Sequence, residues 1–412
     1  MKKILLLALA CIILVIMPIA GSGGQQPAAP SGPAAVNVMA FSLGTSANWP
    51  AFTQIMEKLG NLKINLIESP TVNNDYYLKV MSMLYSGDNS VDVYRTDEVQ
   101  AISYSKAGYL EPIDDCLTPA IIADLDPAFL NTICRYNGKI YSIYTDPQPT
   151  YFFYNKALFD ANGLKPPTNQ AEFLAVAKAL TKDGKFGFGE AYPSPGALSN
   201  TVTHWVNKFG GDMFNWRNPG NAKALQWMYD LLYDYKVISQ ASHNDRYVPL
   251  IQKFVDGEYA MIFAPGGMMG SMGSKLHKEL QIAPSPTFVT NHTWGATWLF
   301  SVSAYGSNKT AAKTFIKTLL EPEAQRNFLN FDSQTCARLS IMKEPAILEK
   351  FPSLKYLAQY TEAKSLVPRP IFNNPNGVAD GINTNVSLYL TQQRSLEQTL
   401  NELQKLIDDD KK

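Results

Sequence analysis

The sequence is short of charge. Lys, Arg, Asp and Glu make up 17% of its 412 residues, and 36 basic side chains balance 36 acidic ones. With no basic stripe and no acidic block, neither nucleic acid nor an anionic membrane surface is indicated as a partner. Cysteine is scarcer still, four in all. Cys11 falls in the apolar N-terminal run, and Cys116, Cys134 and Cys336 are too few for a disulfide-stapled scaffold. One bridge between Cys116 and Cys134, or three reduced thiols, both stay open. The histidines, His204, His243, His277 and His292, show neither metal-ligand spacing nor paired cysteines, so no metal or cofactor is expected.

Catalytic signatures are missing too. In "PGGMMGSMGSK" Ser274 precedes Lys275, which breaks the order a phosphate loop needs, and Met269 stands where a nucleophile elbow needs glycine. Neighbouring carboxylates such as Asp97 and Glu98 would suit a glycosidase in principle. Solvated or ligand-bonding carboxylates are the simpler reading, and no catalytic residue is expected.

The chain does have ring faces, 11% aromatic residues, and an N-terminal apolar run. "MKK", the stretch Ile4–Ala20 and the small residues of "AGSGG" form the anatomy of a secretory signal peptide over residues 1–22. An uncleaved membrane anchor is the alternative. A lipid on Cys11 is disfavoured, because "CIILVIM" continues the apolar run after it. A Pro/Ala/Gly linker at 23–35 follows. The exported remainder, about 390 residues, suffices for two or three domains. It shows no coiled-coil pattern, and a monomer is expected.

Strands alternate with helices along it. "VNVMAF" (Val36–Phe41), "KINLIES" and "VDVYRTD" read as strands, with helices between them at Phe52/Ile55/Met56/Leu59 and "YYLKVMSMLYSG". That order implies a parallel sheet with ligands beyond the carboxyl ends of its strands, at Phe41–Thr45, before Tyr76, and at Thr96-Asp97. Asn169 with Glu172, and Ser395 with Gln398, announce helix starts. Ala311, Ala312, Phe315, Ile316 and Leu319 form the inner face of another helix. In "IYTDPQPTYFFYNKALF" six aromatics crowd Pro147 and Pro149, and prolines disfavour a central strand.

Taken in order, "VNVMAF", "YYLKVMSMLYSGDNSVDVYRTD", "YSKAGYLEPIDD", "NGKIYSIYTDPQPTYFFYNKALFDANGLKPPTNQAEF", "FVDGEYAMIFAPGG", "WGATWLFSVSAYGSNKTAAKTFIKTLLEPEAQRNF", "ARLSIMKE" and "RPI" span nearly all of the exported chain. In this order and spacing the sequence resembles the extracellular solute-binding proteins of sugar-type ABC importers, family 1. The resemblance implies an α/β, two-lobe, periplasmic-binding-protein-like fold with hinge crossings and a ligand cleft between the lobes. Lobe 1 would take residues 36–146 and 294–340, lobe 2 residues 147–293, and the C-terminal helices 341–412 would sit mainly on lobe 2. It implies capture of a carbohydrate by lobe closure and delivery to a membrane permease, in the periplasm or at the cell surface. Another small solute, a polyol or a sugar phosphate, is the alternative, and an exported glycan-active enzyme is the rival of another class. Where many members have tryptophan after the glycines, Met268 stands here, a flexible thioether instead of a flat ring.

The same resemblance makes the prolines of 146–150 part of the first crossing. Sugars present apolar C–H faces to rings and hydroxyl rims to polar side chains. The expected ligand contacts are Tyr151, Trp205, Trp294 and Trp298 as rings, Asn74, Asp75, Asp97, Glu190 and Arg338 as polar partners, and Gly267 and Met268 after the glycine turn. Asp75 also reads as a plain helix cap, and each tryptophan and Phe152–Tyr154 as core. Trp216 and Trp227 are assigned to packing.

Overall fold

Parallel strands open the fold, the first of them buried on both faces. β1 (Ala34–Ala40), β2 (Leu62–Leu66) and β3 (Val93–Asp97) alternate with the helices Trp49–Gly60 and Asn73–Ser86. Ala34 pairs with Leu62, and Val38 with both Leu66 and Val93. Val36, Val38 and Ala40 pack with Phe52 and Met56 of the first helix, while Met39 turns to Tyr76 and Val80 of the second. This two-sided burial explains why β1 reads as an apolar run. Asn61 and Gly87, at φ 46° and 69°, stop the two helices in the left-handed region. β3 ends on Asp97, whose side chain accepts the Gln100 N–H and so starts the helix Glu98–Lys106.

These elements come from a computed structural model that describes residues 32–41, 48–70, 73–193, 197–331 and 334–411, the side chains of 73 and 74 excepted. The expected signal segment with Cys11, residues 23–31 of the linker and the loop beyond Phe41 lie outside them.

A small hairpin, β4 (Arg135–Tyr136) and β5 (Lys139–Ile140), leads to β6 (Ser142–Tyr144) at the edge of the first sheet. The second sheet uses β7 (Gln148–Asn155), β8 (Met261–Pro265), β9 (Leu280–Ala283), β10 (Thr293–Ala296) and β12 (Leu366–Pro368). Its order is β12-β10-β7-β8, with β9 also on β7. β11 (Trp298–Val302) returns to the first sheet and inserts antiparallel between β3 and β6, giving β2-β1-β3-β11-β6. The chain therefore crosses between the sheets at Thr145–Pro147 and again at Thr297, and the result is the two-lobe α/β fold.

The aromatic run after the first crossing is a core strand. Tyr151, Phe152 and Phe153 are each 0% exposed, and alternate residues enter different cores: Tyr151 and Phe153 one, Phe152 the other. Pro149 lies inside this strand, against the expectation that proline would keep it out. It is only the second residue of β7, before the ladder with β8 opens at Thr150, and it ends the short two-pair ladder with β10, opposite Gly295.

The helices Pro375–Leu390 and Leu396–Asp410 pack on the second lobe's helices Leu198–Lys208 and Pro219–Tyr233. Asn383 Oδ1 accepts the Ser199 N–H at 2.7 Å, and the Tyr233 hydroxyl donates to the Leu390 carbonyl at 2.6 Å. The last helix starts with the full reciprocal cap of Ser395 and Gln398. At the helix Gln170–Leu180, Asn169 accepts from Glu172 N–H, whereas Glu172 reaches back to Thr168 N–H. Cys116, Cys134 and Cys336 are free and buried, which decides between the two readings for the first pair, and burial pushes their thiols up to about 11, 12 and 12. Among the described residues no helix is long and apolar enough to cross a membrane.

Trp227 sits 4% exposed among Phe173, Trp205, Phe209 and Phe288. Trp227→Ala removes a large buried ring, and a loss of about 3–5 kcal/mol in unfolding free energy is expected. Urea titration measures it; a loss below about 1 kcal/mol would contradict this packing role.

Candidate functional site

Two carboxyl ends and one amino end meet at a single edge of the first sheet. Trp298, the first residue of β11, pairs directly with Asp97, the last of β3. Phe41, just past β1, stacks on Trp298 with centroids 5.2 Å apart and planes 11° apart. The Arg95 guanidinium lies 5.1 Å from the same Trp298 ring, 5.7 Å from Trp49 and 5.8 Å from Phe300. A cation over ring faces is stabilised by their electron density. Arg95 also pairs with Asp146 in the first crossing at 3.0 Å, the two side chains only 9% and 5% exposed. Asp146 takes two more donors, the Thr145 hydroxyl at 2.6 Å and the Gln148 amide at 2.8 Å.

Beside this knot the two lobes are bridged. Arg369 follows β12 of the second sheet, yet its guanidinium donates to Asp97 Oδ2 at 3.3 Å and to Glu98 Oε1 at 2.5 Å. Glu98 is 1% exposed and also accepts the Thr297 N–H at the second crossing. Burial pushes the Glu98 carboxyl up, with Arg369 opposing and Asp97 adding to the rise. Burial works against the Arg369 charge, but Glu98 and Asp97 outweigh it and hold the guanidinium above its ordinary value. Asp97 accepts from the Tyr77 hydroxyl as well, at 2.8 Å. Burial and the Asp97 charge raise that phenol well above its usual range, so it stays a donor.

The second lobe answers with Glu190 and Tyr247. The chain at Phe186 and Gly189 runs parallel to the start of β8 and sets Glu190 just beyond it. Glu190 is 3% exposed, and Trp205 Nε1 donates to it at 2.8 Å. Burial drives its carboxyl up to about 8, the Trp205 hydrogen bond only partly offsetting this. Tyr247, the first residue of the helix Tyr247–Val255, is also raised, by burial first and then by the Glu190 charge, while Arg369 pulls it down. Between the lobes lies a cavity of about 130 Å³, lined from lobe 1 by Tyr77, Asp97 and Gln100 and from lobe 2 by Asn200, Thr203 and Arg369. The wall also includes Val99, Met213, Phe372 and Ile382, so donors and acceptors stand beside apolar surface. Among the described residues no group of three or more His, Cys, Asp or Glu is placed to hold a metal.

Of the residues expected from sequence, Asp97 lines this cavity; Trp298 and Glu190 stand at the sheet ends around it. Gly267 follows β8, where an added Cβ would come within 2.4 Å of the Gln148 amide oxygen, so glycine permits the approach to the first crossing. Met268 is half-buried beside it. Tyr151, Trp205 and Trp294 are 0%, 0% and 2% exposed and present no open ring face. Trp205 instead packs among Phe173, Phe188, Phe263 and Phe288 and orients Glu190. Asp75 is exposed in the first turn of its helix, and the side chain of Asn74 lies outside the described residues. Arg338 pairs with Asp124 at 2.7 Å and caps the Leu320 carbonyl, tying two lobe 1 segments together.

Sequence reasoning passed over Tyr77, Gln100, Asn200, Tyr247 and, above all, Arg369, and considered Glu98 only as one of a carboxylate pair. The one local signal was "VPRP", an arginine held between prolines at the end of an apolar strand.

Two α/β lobes joined by strand crossings, with a polar cleft between them, define the architecture of a solute-binding protein. Residues 51–350 match the family described as bacterial extracellular solute-binding protein, and the chain belongs to that family. Its fold is shared with maltose-bound MalE3 of T. maritima, at 19% identity and a TM-score of 0.78 over 91% of this chain and 99% of that one. An ABC substrate-binding protein from Listeria monocytogenes in complex with cycloalternan matches at 19% and 0.76, covering 92% and 98%. An ABC transporter solute-binding protein from Thermotoga lettingae bound with alpha-D-tagatose matches at 16% and 0.77, covering 92% and 100%. At such identities the likeness is one of fold.

The buried Glu190 makes stability depend on pH. Between the unfolded value of about 4.3 and the folded value of about 8 the native state holds the extra proton, so this group's contribution is full at low pH and lost as pH rises toward 8. Glu190→Gln should remove that slope. The difference in denaturation midpoint between the two proteins, followed from about pH 5 to about pH 8.5, isolates it from other groups. A constant difference would show that Glu190 is ionised in the fold.

Proposed function

We propose that the protein is the exported receptor of an ABC importer, which closes its two lobes on a carbohydrate and presents it to a membrane permease. The observation that carries this reading is the cleft wall itself. Arg369, Asp97, Tyr77 and Gln100 offer charge-assisted and neutral hydrogen bonds to hydroxyl rims, and the Phe41–Trp298 stack, beside Asp97, offers an apolar face for C–H groups. The relatives in complex with maltose, cycloalternan and tagatose support the same class. The cavity, at about 130 Å³, is below the roughly 300–1,000 Å³ of typical small-molecule clefts. That size favours, as a second reading, a small polyhydroxylated solute such as a polyol. No catalytic step is assigned. The receptor acts as a monomer, outside the cytoplasm.

A thermal-shift screen against sugars and polyols finds the ligand. At about 100 times its dissociation constant the true ligand should stabilise the fold by about 2.7 kcal/mol. The same ligand should reduce the radius of gyration in solution scattering, because closure is a hinge motion of two lobes. A tight ligand that leaves the scattering unchanged defeats the closure model.

Trp298→Ala should weaken that ligand at least about tenfold, equivalent to about 1.4 kcal/mol, through loss of the stacked face. Calorimetric titration reads the change. Unaltered affinity in a folded Trp298→Ala protein would remove the aromatic wall from the site.

A further inference from the structure

The second lobe carries a groove on the side of its helices, well apart in its residues from the cavity between the lobes. Two depressions, of about 510 and 370 Å³, meet at Gln226 and Leu396. One wall is the helix Pro219–Tyr233. The other is the end of the helix Pro375–Leu390, the turn "TQQRS" after it, and the first turn of the last helix. None of the groove's residues lines the cleft cavity.

Its chemistry is uncommon for a protein surface. Tyr229 and Tyr389 stand with ring centroids 5.4 Å apart at 30°, and Tyr235 lies at the other end, so rings occur along the groove's length. Tyr229 and Tyr235 are half-buried; the Tyr233 ring stands 4.5 Å from the Tyr229 ring and the Lys178 ammonium 4.7 Å from the Tyr235 ring, so each keeps only part of its surface open. Between them are amides. Gln392 donates to the Tyr229 hydroxyl at 2.8 Å, and the Tyr389 hydroxyl donates to Gln226 Oε1 at 3.3 Å. Rings and amides thus fix one another before anything binds. Gln393 and Gln398 extend the same wall and are exposed.

Charge contributes little. Arg394 is engaged by Asn385 and Asp230 by Gln226, and Lys223 is the remaining charged group among the groove's residues. An anion would need a cluster of cations, which the groove's residues do not provide; apolar side chains (Phe209, Ala222, Trp227, Leu396) line one depression, while amides and tyrosines wall the other. A primary amide supplies donors and an acceptor on one planar group, matching adjacent sugar hydroxyls, while a ring face covers the C–H side of a sugar. The elongated shape suits several linked units.

We propose that this groove binds a neutral oligosaccharide, as a second carbohydrate-contacting surface independent of the cleft. It allows the protein to rest on a longer glycan while the cleft takes a smaller piece. Which solute the cleft accepts does not affect the groove.

Hydrogen exchange of the full chain, with cellotetraose, xylotetraose and maltotetraose as probes, tests it. With at least one of them, amides of segments 226–233 and 389–398 should slow by about tenfold when the sugar stands at about ten times its dissociation constant. Tyr229→Ala and Gln392→Ala should each abolish the effect. Should Tyr229→Ala fail to fold, Gln392→Ala, at an exposed side chain, keeps the test. No slowing in these segments with any of the three sugars, or slowing that survives Gln392→Ala, overturns the proposal. Segments 97–100 and 367–370 report the cleft separately, so binding in the groove is distinguished from binding between the lobes.

Discussion

The buried pair of Arg95 and Asp146 is the constraint around which the site is built. Arg95 belongs to β3, Asp146 to the first crossing, and the Trp298 ring beside the guanidinium begins the strand after the second crossing. One cation therefore holds together the first two places where the chain passes between lobes. Removing a charge from water is costly, and such a pair persists only when its remaining hydrogen-bonding capacity is met. Asp146 meets that condition with the Thr145 hydroxyl and the Gln148 amide, while the Arg95 charge is covered by ring faces. The hinge is thus a polar knot wrapped in aromatic side chains.

From that knot the rest of the cleft follows. Register places Asp97 opposite Trp298, so the end of β3 cannot move without the second crossing. Arg369 then ties both carboxylates at this strand end to the other lobe, and Glu98 receives the Thr297 N–H as well. Charges shared between the lobes gather at this edge.

Much of the fold was legible because its signals are local. Apolar runs, the helix stop at Gly87, and caps at Asn169 and Ser395 act over a few residues. The bridge of Arg369 to Glu98 was not legible, since its members lie 271 positions apart and nothing local links one to the other. Rings were ambiguous for another reason. A tryptophan that stacks on a ligand and one that fills a core have the same side chain, and only three-dimensional neighbours separate Trp298 from Trp205. Pro149 misled because the rule against proline in strands concerns ladder interiors, and it occupies a strand start.

The insertion of β11 between β3 and β6 reaches beyond binding. Trp298 pairs with Asp97 and Val302 with Val93, far earlier in the chain, so the first sheet cannot be completed until most of the polypeptide has been made. Contacts so distant in sequence are slow to form, because a long loop must close before they reward it. A chain emerging from the ribosome therefore carries an unfinished lobe through much of its synthesis. For a member of an extracellular family this delay has a use: a polypeptide that has not yet closed its first sheet can still be threaded through a membrane, and the topology that later makes a hinge also postpones the moment of folding.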